Sequence, residues 1–220
     1  MESTTRLEQQ IHFLLELDKL KQVLRRTYLL DGSRHENDVE HSWHLAMMAA
    51  LLREYAREPV DLLRTLKMVL VHDIVEIDVG DIFIYDEEGQ GKKPELERAA
   101  AERIFAMLPE DQAAEARVLW DEFEVAETAE AKFARALDRL QPLLHNYYTE
   151  GRAWKEHGVT VDRVLAVNRP VLAAGAPALE EYATRLIAEA VEKGYLGGEE
   201  SKRRRGEEAE TAGDGAAGEG

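Results

Sequence analysis

The chain has 220 residues, of which 28 are Lys or Arg and 44 are Asp or Glu, so its formal net charge at pH 7 is −16. It contains no cysteine, which excludes a disulfide scaffold, a thiol nucleophile and a thiolate metal site. The acidic balance argues against nonspecific binding to nucleic acid or to an anionic membrane surface, because both need a basic face.

The beginning of the chain does not resemble a secretory signal, because Glu2 lies at its start and Glu16 interrupts the apolar stretch 11–17. No stretch reaches the roughly 18 apolar residues that a membrane-spanning helix needs. We therefore expect a cytoplasmic protein with a single domain that is long enough to bury a core.

Apolar residues at three- and four-residue spacing predict helices over most of the chain. The first three apolar stripes cover residues 7–24, 45–52 and 62–70, and the next helix is expected between two prolines, over residues 95–108. Further helices are predicted over residues 111–123, 128–148, 161–174 and 177–193.

The remaining segments carry no strand or hairpin signal. Residues 82–85 form one isolated apolar run, which cannot make a sheet alone, and residues 85–93 are predicted to be a mobile loop. Residues 197–220 hold 7 of the 15 glycines and almost no apolar side chains. The sequence thus predicts a single all-α domain of about seven or eight helices over residues 1–196, followed by a disordered tail over 197–220.

Several polar side chains fall on faces that should be apolar. His41 lies on the buried stripe of its helix, His72 and Asp73 follow the apolar stretch 68–71, and Asp138 lies beside a core leucine. Each residue alone is compatible with a core histidine or an ordinary ion pair. Together, two imidazoles and two carboxylates from three helices favour an octahedral or near-octahedral metal site.

Two further carboxylates follow this set. Glu76 is four residues after His72, so a helix would place it one turn beyond the metal ligands, where a general acid or base is useful. Asp81 comes directly after Gly80, at the next predicted helix break.

The order of these motifs resembles the HD-domain metal phosphohydrolases, and more narrowly the YfbR/HDDC2-like 5′-deoxynucleotidases. The resemblance covers roughly residues 14–186, and the order of all the motifs is more specific than the His-Asp pair alone. The motifs that carry it are RHENDVEHSW at 34–43, HDIVE at 72–76, GD at 80–81 and LDRL at 137–140.

The resemblance implies four ligands for one metal ion, which are His41, His72, Asp73 and Asp138. It implies that Glu76 and Asp81 handle the protons of the attacking water and of the leaving group. The family's early arginine, which contacts the sugar or the phosphate, corresponds to Arg25 or Arg26. Where some family members have a tryptophan after that arginine, this chain continues with Arg26, Thr27 and Tyr28.

The activity implied by this resemblance is metal-dependent hydrolysis of (deoxy)nucleoside 5′-monophosphates, and the resemblance suggests a homodimer. The charge and the start of the chain, as argued from the residues, favour a cytoplasmic protein with no nucleic-acid or membrane partner. Mixed nitrogen and oxygen ligands suit Mn²⁺, Co²⁺, Fe²⁺, Ni²⁺ or Mg²⁺. One alternative is a dNTP triphosphohydrolase or another HD hydrolase of small phosphoesters. A noncatalytic nucleotide-binding scaffold is the other. The few visible Lys and Arg residues favour a monophosphate, and the intact motif set counts against a scaffold.

Overall fold

The structure is a computed structural model, and it describes residues 5–198. Within that range ten α-helices and one two-stranded sheet follow one another. The elements are α1 (Arg6–Glu16), β1 (Leu24–Tyr28), β2 (His35–Asn37), α2 (Asp38–Leu52), α3 (Leu62–Val71), α4 (Glu76–Val79), α5 (Glu87–Phe105), α6 (Glu110–Val125), α7 (Ala129–Tyr148), α8 (Arg152–Glu156), α9 (Val161–Gly175) and α10 (Pro177–Glu192). Because α4 and α8 have only four and five residues, eight longer helices remain, and the predicted all-α class is confirmed.

The small sheet departs from the single helix predicted over residues 7–24. Helix α1 ends at Glu16, a short 3₁₀ segment follows, and β1 then pairs antiparallel with β2. Thr27 and Tyr28 are good strand formers and are both buried here, which favours an extended backbone. The Asp38 backbone N–H donates to the Val23 carbonyl at 3.2 Å, so the sheet leads directly into α2.

Helix α5 replaces the loop that we predict over residues 85–93. It begins at Glu87, where the Asp86 side chain caps it by accepting from the Gly89 N–H at 3.2 Å. A Cβ on Gly89 would lie 2.7 Å from Asp86 Oδ2, so only glycine fits that position. Glycines and the internal Pro94 have low helix propensity, and this is why the sequence pattern conceals the first two turns.

The main core lies around α7, which packs against α2, α3, α6, α9 and α10. Phe133 and Leu137 of α7 and Leu172 of α9 are fully buried there. A Cβ on Gly175 would lie 2.1 Å from the Lys132 carbonyl oxygen, so a glycine lets α9 approach α7 closely. A smaller core lies between α1, α5 and α6, around Ile104.

The helices predicted over 111–123, 161–174 and 177–193 agree with α6, α9 and α10 to within two residues at each end. Helix α7 begins one residue after the predicted start, because Thr128 is its cap and its side chain accepts from the Ala131 N–H at 3.2 Å. Residues 199–220, most of the predicted tail, lie outside the described residues. Among residues 5–198, no helix combines the length and the apolar character needed to cross a bilayer.

Candidate metal centre

Three helices bring the four predicted ligands to one place. His41 is in α2, whose cap Asn37 accepts from the Glu40 N–H at 3.0 Å, and Asp138 is in the middle of α7. His72 is the C-terminal cap of α3, and Asp73 lies in the turn that follows. All four residues are buried.

The helix that we predict to carry His72, Asp73 and Glu76 together is in fact interrupted. Helix α3 ends at Val71, and α4 begins only at Glu76. The Glu76 N–H donates to the Asp73 carbonyl at 3.0 Å, a three-residue bond that tightens the turn. All three side chains still line the same cavity.

The distances between the ligand atoms fit one ion. His41 Nε2 lies 3.0 Å from Asp138 Oδ1 and 3.8 Å from Asp73 Oδ2. His72 Nε2 lies 3.1 Å from Asp73 Oδ2 and 3.8 Å from Asp138 Oδ1. Atoms at about 2.1 Å from a shared metal ion are about 3.0–3.4 Å apart in octahedral or tetrahedral geometry. A small contraction around an ion would therefore complete the site.

Both histidines direct a nitrogen toward this point. His72 Nδ1 lies 2.9 Å from the Val69 carbonyl, and a carbonyl only accepts, so Nδ1 carries the proton. His72 Nε2 is buried, and although Asp73 Oδ2 lies 3.1 Å away, the nitrogen makes no well-directed hydrogen bond among the described residues. A metal ion would give this nitrogen a partner, so the residues present fit a divalent cation.

The charges around the four ligands also favour binding of a cation. Burial alone would lower the pKa of His72, but the carboxylates of Asp73 and Asp138 raise that pKa to about 10. Burial acts to raise the pKa of Asp73, yet the positive charges of His72 and Arg25 lower it. The carboxylates thus stay ionised and attract any available cation.

The structure separates the two candidate arginines. Arg25 points inward, with Nη1 at 2.9 Å from Asp73 Oδ2 and 3.3 Å from Asp38 Oδ1. Arg26 is the next residue of β1 and is exposed, but it lines the same cavity. Arg25 therefore contacts the metal-ligand set directly, and Arg26 does not.

A cavity of about 200 Å³ opens beside the ligands. Asp81 lines it, because Gly80 adopts a positive φ of 76° and turns the chain at the end of α4. The positively charged side chains along its wall are Arg25, Arg26, Lys93, Arg135 and Arg139. Arg135 and Arg139 flank Asp138 on α7, and Lys93 comes from the helical part of the predicted loop.

Glu76 and Asp38 form a second acidic pair next to Asp73. Glu76 is 3% exposed, and its Oε2 has no hydrogen-bond partner within the described part of the chain. Burial and the Asp73 and Asp38 carboxylates raise the pKa of Glu76 well above its usual value. Burial and Asp73 raise the pKa of Asp38 to about 7. Sequence reasoning missed Asp38, although it lies three residues before His41 and thus on the same helix face.

On its other edge, His41 contacts Gln141, which the sequence analysis did not single out. His41 Nδ1 lies 3.2 Å from Gln141 Oε1. Gln141 Nε2 donates to Glu36 Oε1 at 2.7 Å and to His145 Nε2 at 3.0 Å. Gln141 is three residues after Asp138, a spacing that places both on one face of α7 and could have identified it.

The fold is all-α, and two imidazoles and two carboxylates surround one point in it. The protein is therefore a helical protein with a candidate metal centre. A family model for the HD domain matches residues 17–180. The chain belongs to the HD-domain family.

Relatives with assigned names are similar to this chain over much of its length. The 5′-deoxynucleotidase HDDC2 of Homo sapiens is 33% identical over 135 residues, which cover 61% of this chain and 65% of that protein. The chain thus matches slightly less than two thirds of the human relative. The protein of the same name from Danio rerio is 27% identical over 191 residues, with 85% and 94% of the two chains covered.

Solved structures show the same fold. A protein described as a predicted metal-dependent phosphohydrolase from Magnetospirillum magnetotacticum is 57% identical, with a TM-score of 0.83 over 87% of this chain and 96% of that one. The PH0347 protein of Pyrococcus horikoshii has a TM-score of 0.59 at 22% identity, covers 81% of this chain and 98% of its own, and supports the fold alone.

Proposed function

We propose that this protein is a divalent-metal-dependent phosphomonoester hydrolase that releases phosphate from (deoxy)nucleoside 5′-monophosphates. The observation that carries the proposal is the ligand set itself: the four distances from His41 and His72 Nε2 to the Asp73 and Asp138 carboxylates are 3.0–3.8 Å, beside a cavity lined by five cationic side chains. The names of the human and zebrafish relatives support the same substrate class.

In this proposal, His41, His72, Asp73 and Asp138 hold one divalent ion, which when bound acidifies water and polarises a phosphoryl oxygen. Arg25 lies beside the ligands and is placed to neutralise charge on the phosphoryl group as it is transferred. Arg26, at the edge of the cavity, contacts the outer part of the substrate.

Glu76 supplies the proton for the departing 5′-oxygen. It is buried, lines the cavity and lies beside two other carboxylates, so it retains a proton that a developing alkoxide can take. Asp81 enters the same cavity from the turn after Gly80 and handles the proton of the attacking water. The raised pKa of Glu76 thus agrees with an acid role, which its position supports independently.

The charges around the cavity favour a monophosphate over a triphosphate. Apart from Glu76, which keeps its proton in this proposal, five acidic side chains line it against the five cations, and they are Asp73, Asp81, Glu97, Glu124 and Asp138. Three of the cations are already near acids: Arg25 with Asp73, Lys93 with Glu97 at 3.2 Å, and Arg139 with Asp138 at 3.5 Å. With one divalent ion added, little positive charge remains for a longer polyphosphate chain.

The proposal also includes a homodimer, as the family resemblance implies, and a cytoplasmic location, as the sequence favours. Light scattering of the purified protein and fractionation of the source cells test these two points separately from activity.

A phosphate-release panel tests the activity. Purified protein would receive dNMPs, NMPs, 3′-monophosphates and dNTPs, each with Mn²⁺, Co²⁺ or Mg²⁺. We expect turnover of 5′-monophosphates above that of 3′-isomers, and none after chelation. The matched control is His12→Ala, which alters an exposed histidine on α1 and should keep wild-type rates.

The panel also separates the alternatives. Faster release of triphosphate than of phosphate would replace the proposal with a dNTP hydrolase. Nucleotide binding without any turnover, in protein that carries its metal, would leave a scaffold. Equal rates on dAMP and AMP would remove only the deoxyribose preference.

A further inference from the structure

Behind the candidate metal centre lies a second buried polar cluster. It consists of Glu36 at the end of the β-hairpin, His44 in α2 and His145 in α7, and each offers a ligand-type atom within 4.8 Å of the others. Glu36 and His145 are only 2% and 4% exposed. Such a group of side chains could bind a cation, but another atom already lies between the three of them.

That atom is the amide nitrogen of Gln141. Gln141 Nε2 lies 2.7 Å from Glu36 Oε1, 3.0 Å from His145 Nε2 and 3.4 Å from His44 Nδ1. All three atoms can accept a hydrogen bond. Burial lowers the pKa of His145, so its ring is neutral at pH 7 and keeps a lone pair for this purpose. The cluster is therefore an acceptor cage around one NH₂ group.

The cage distinguishes the two orientations of the amide. In the observed orientation, the NH₂ group faces the acceptors and Oε1 faces His41 Nδ1 at 3.2 Å. A flipped amide would place its oxygen where the nitrogen now lies, 2.7 Å from a carboxylate oxygen of Glu36. Two oxygens without a proton between them repel strongly in a buried, low-dielectric site.

The orientation of Gln141 then determines the protonation of His41. Because Oε1 only accepts, His41 must carry a proton on Nδ1, and the Nε2 lone pair is left for the metal ion. A flipped amide would donate to Nδ1 instead. The proton of a neutral His41 would then move to Nε2, which faces Asp138 at 3.0 Å, and block metal ligation.

We propose that Glu36 and Gln141 are positioning residues: Glu36 orients the Gln141 amide, and Gln141 keeps the proton of His41 on Nδ1. Neither residue touches the substrate or the reacting atoms. The inference rests on the metal centre of the proposed function but not on its substrate, so it can be tested without any turnover.

The first measurement uses the wild-type protein. Long-range ¹H–¹⁵N NMR spectra of ¹⁵N-histidine-labelled protein distinguish protonated from bare imidazole nitrogens. We expect a protonated His41 Nδ1 both in the metal-free protein and with diamagnetic Zn²⁺ bound. A bare Nδ1 in the metal-free wild type would overturn the proposal whatever the variants do.

The variants test the cause. Glu36→Gln keeps the size of the side chain but can donate as well as accept, so both orientations of Gln141 become allowed. Because Nε2–H of His41 could then donate to Asp138 Oδ1, 3.0 Å away, we expect the flipped form to predominate in the metal-free variant. Mn²⁺ binding should weaken by about 10-fold or more, since the apparent affinity falls with the fraction of competent protein. Glu115→Gln, an exposed acid paired with Lys67, is the matched control and should change neither.

A double exchange gives the decisive rescue. In Glu36→Gln/Gln141→Glu, the new glutamine donates to the new carboxylate. That carboxylate accepts from His41 Nδ1 and from His145 Nε2, because the neutral ring of His145 can carry its single proton on either nitrogen. The double variant should restore the proton on Nδ1 and Mn²⁺ affinity to within about 3-fold of wild type, which a purely structural role would not predict. If Glu36→Gln folds with unchanged His41 signals and Mn²⁺ affinity, or if the folded double variant remains as weak as the single one, the proposal is wrong.

Discussion

Helix α7 has two buried faces with opposite chemistry. One face carries Phe133, Leu137 and Leu140, which are buried in the apolar core. The other carries Asp138, Gln141 and His145, spaced by three and four residues and also buried. The apolar face needs only matching shapes, whereas every atom of the polar face needs a partner. We therefore expect changes on the apolar side to act on stability, and changes around the polar side to act on metal binding and catalysis.

The largest loss of metal and activity should come from removing Asp73, a ligand that faces the polar side of α7. Asp73→Ala leaves His72 and Arg25 without their nearest carboxylate. We expect no bound metal after dialysis and activity at background. Elemental analysis and phosphate release check both. An Asp73→Ala protein with stoichiometric metal and normal turnover would show that the cluster is not the catalytic centre.

Glu76→Gln should have little effect on metal binding but should lower the rate of turnover strongly. The amide fills the same volume and leaves the four ligands in place, but it cannot donate a carboxylic proton. General acid catalysis contributes about 100- to 10,000-fold, so kcat should fall within that range while bound metal and KM stay nearly unchanged. Asp138→Ala is the informative contrast, because it should weaken metal binding and recover part of its rate in excess Mn²⁺. If Glu76→Gln lost its metal and Asp138→Ala kept it, the two roles would have to be exchanged.

The next largest effect should come from the arginines of β1, and the two should differ in which kinetic constant they change. Arg25 contacts Asp73 and is 13% exposed, whereas Arg26 is exposed at the edge of the cavity. Loss of a donor to developing charge typically costs about 100- to 1,000-fold in kcat. We expect Arg25→Ala to fall in that range and Arg26→Ala to raise KM by less than about 10-fold. Steady-state kinetics on one dNMP measure both, and equal effects would contradict the inward placement of Arg25.

The sequence predicts the four metal ligands better than the residues that surround them. His41, His72, Asp73 and Asp138 stand out because they interrupt apolar patterns, and the structure brings all four together. Gln141 shares the helix face of Asp138, but that spacing alone does not reveal its role, because two of its partners, His41 and Glu36, lie about 100 positions away. Such long-range pairings cannot be derived from periodicity.

The start of α5 and the β-hairpin are not predicted from the sequence, for a similar physical reason. Lys93 and Glu97 belong to α5, whose first turns contain Gly89, Gly91 and Pro94 and therefore have weak intrinsic helix propensity. The Asp86 cap, which accepts from the Gly89 N–H, stabilises a helix start that composition alone would reject. The short hairpin likewise depends on residues far away in the sequence, because β1 packs against α7 and α8.

The smallest effect on the site should come from the apolar face of α7. Phe133 is fully buried, so Phe133→Ala leaves a cavity and should lower the free energy of unfolding by about 3–5 kcal/mol. Chemical denaturation of the metal-free protein measures this loss. Because Phe133 lies on the other face of the helix from Asp138, Mn²⁺ affinity of the folded variant should stay within about 2-fold of wild type. Val118→Ala, at an exposed position of α6, is the control and should change stability by less than about 0.5 kcal/mol. A Phe133→Ala protein that unfolds normally but binds Mn²⁺ much more weakly would show that the two faces of α7 are mechanically coupled, and the separation argued above would fail.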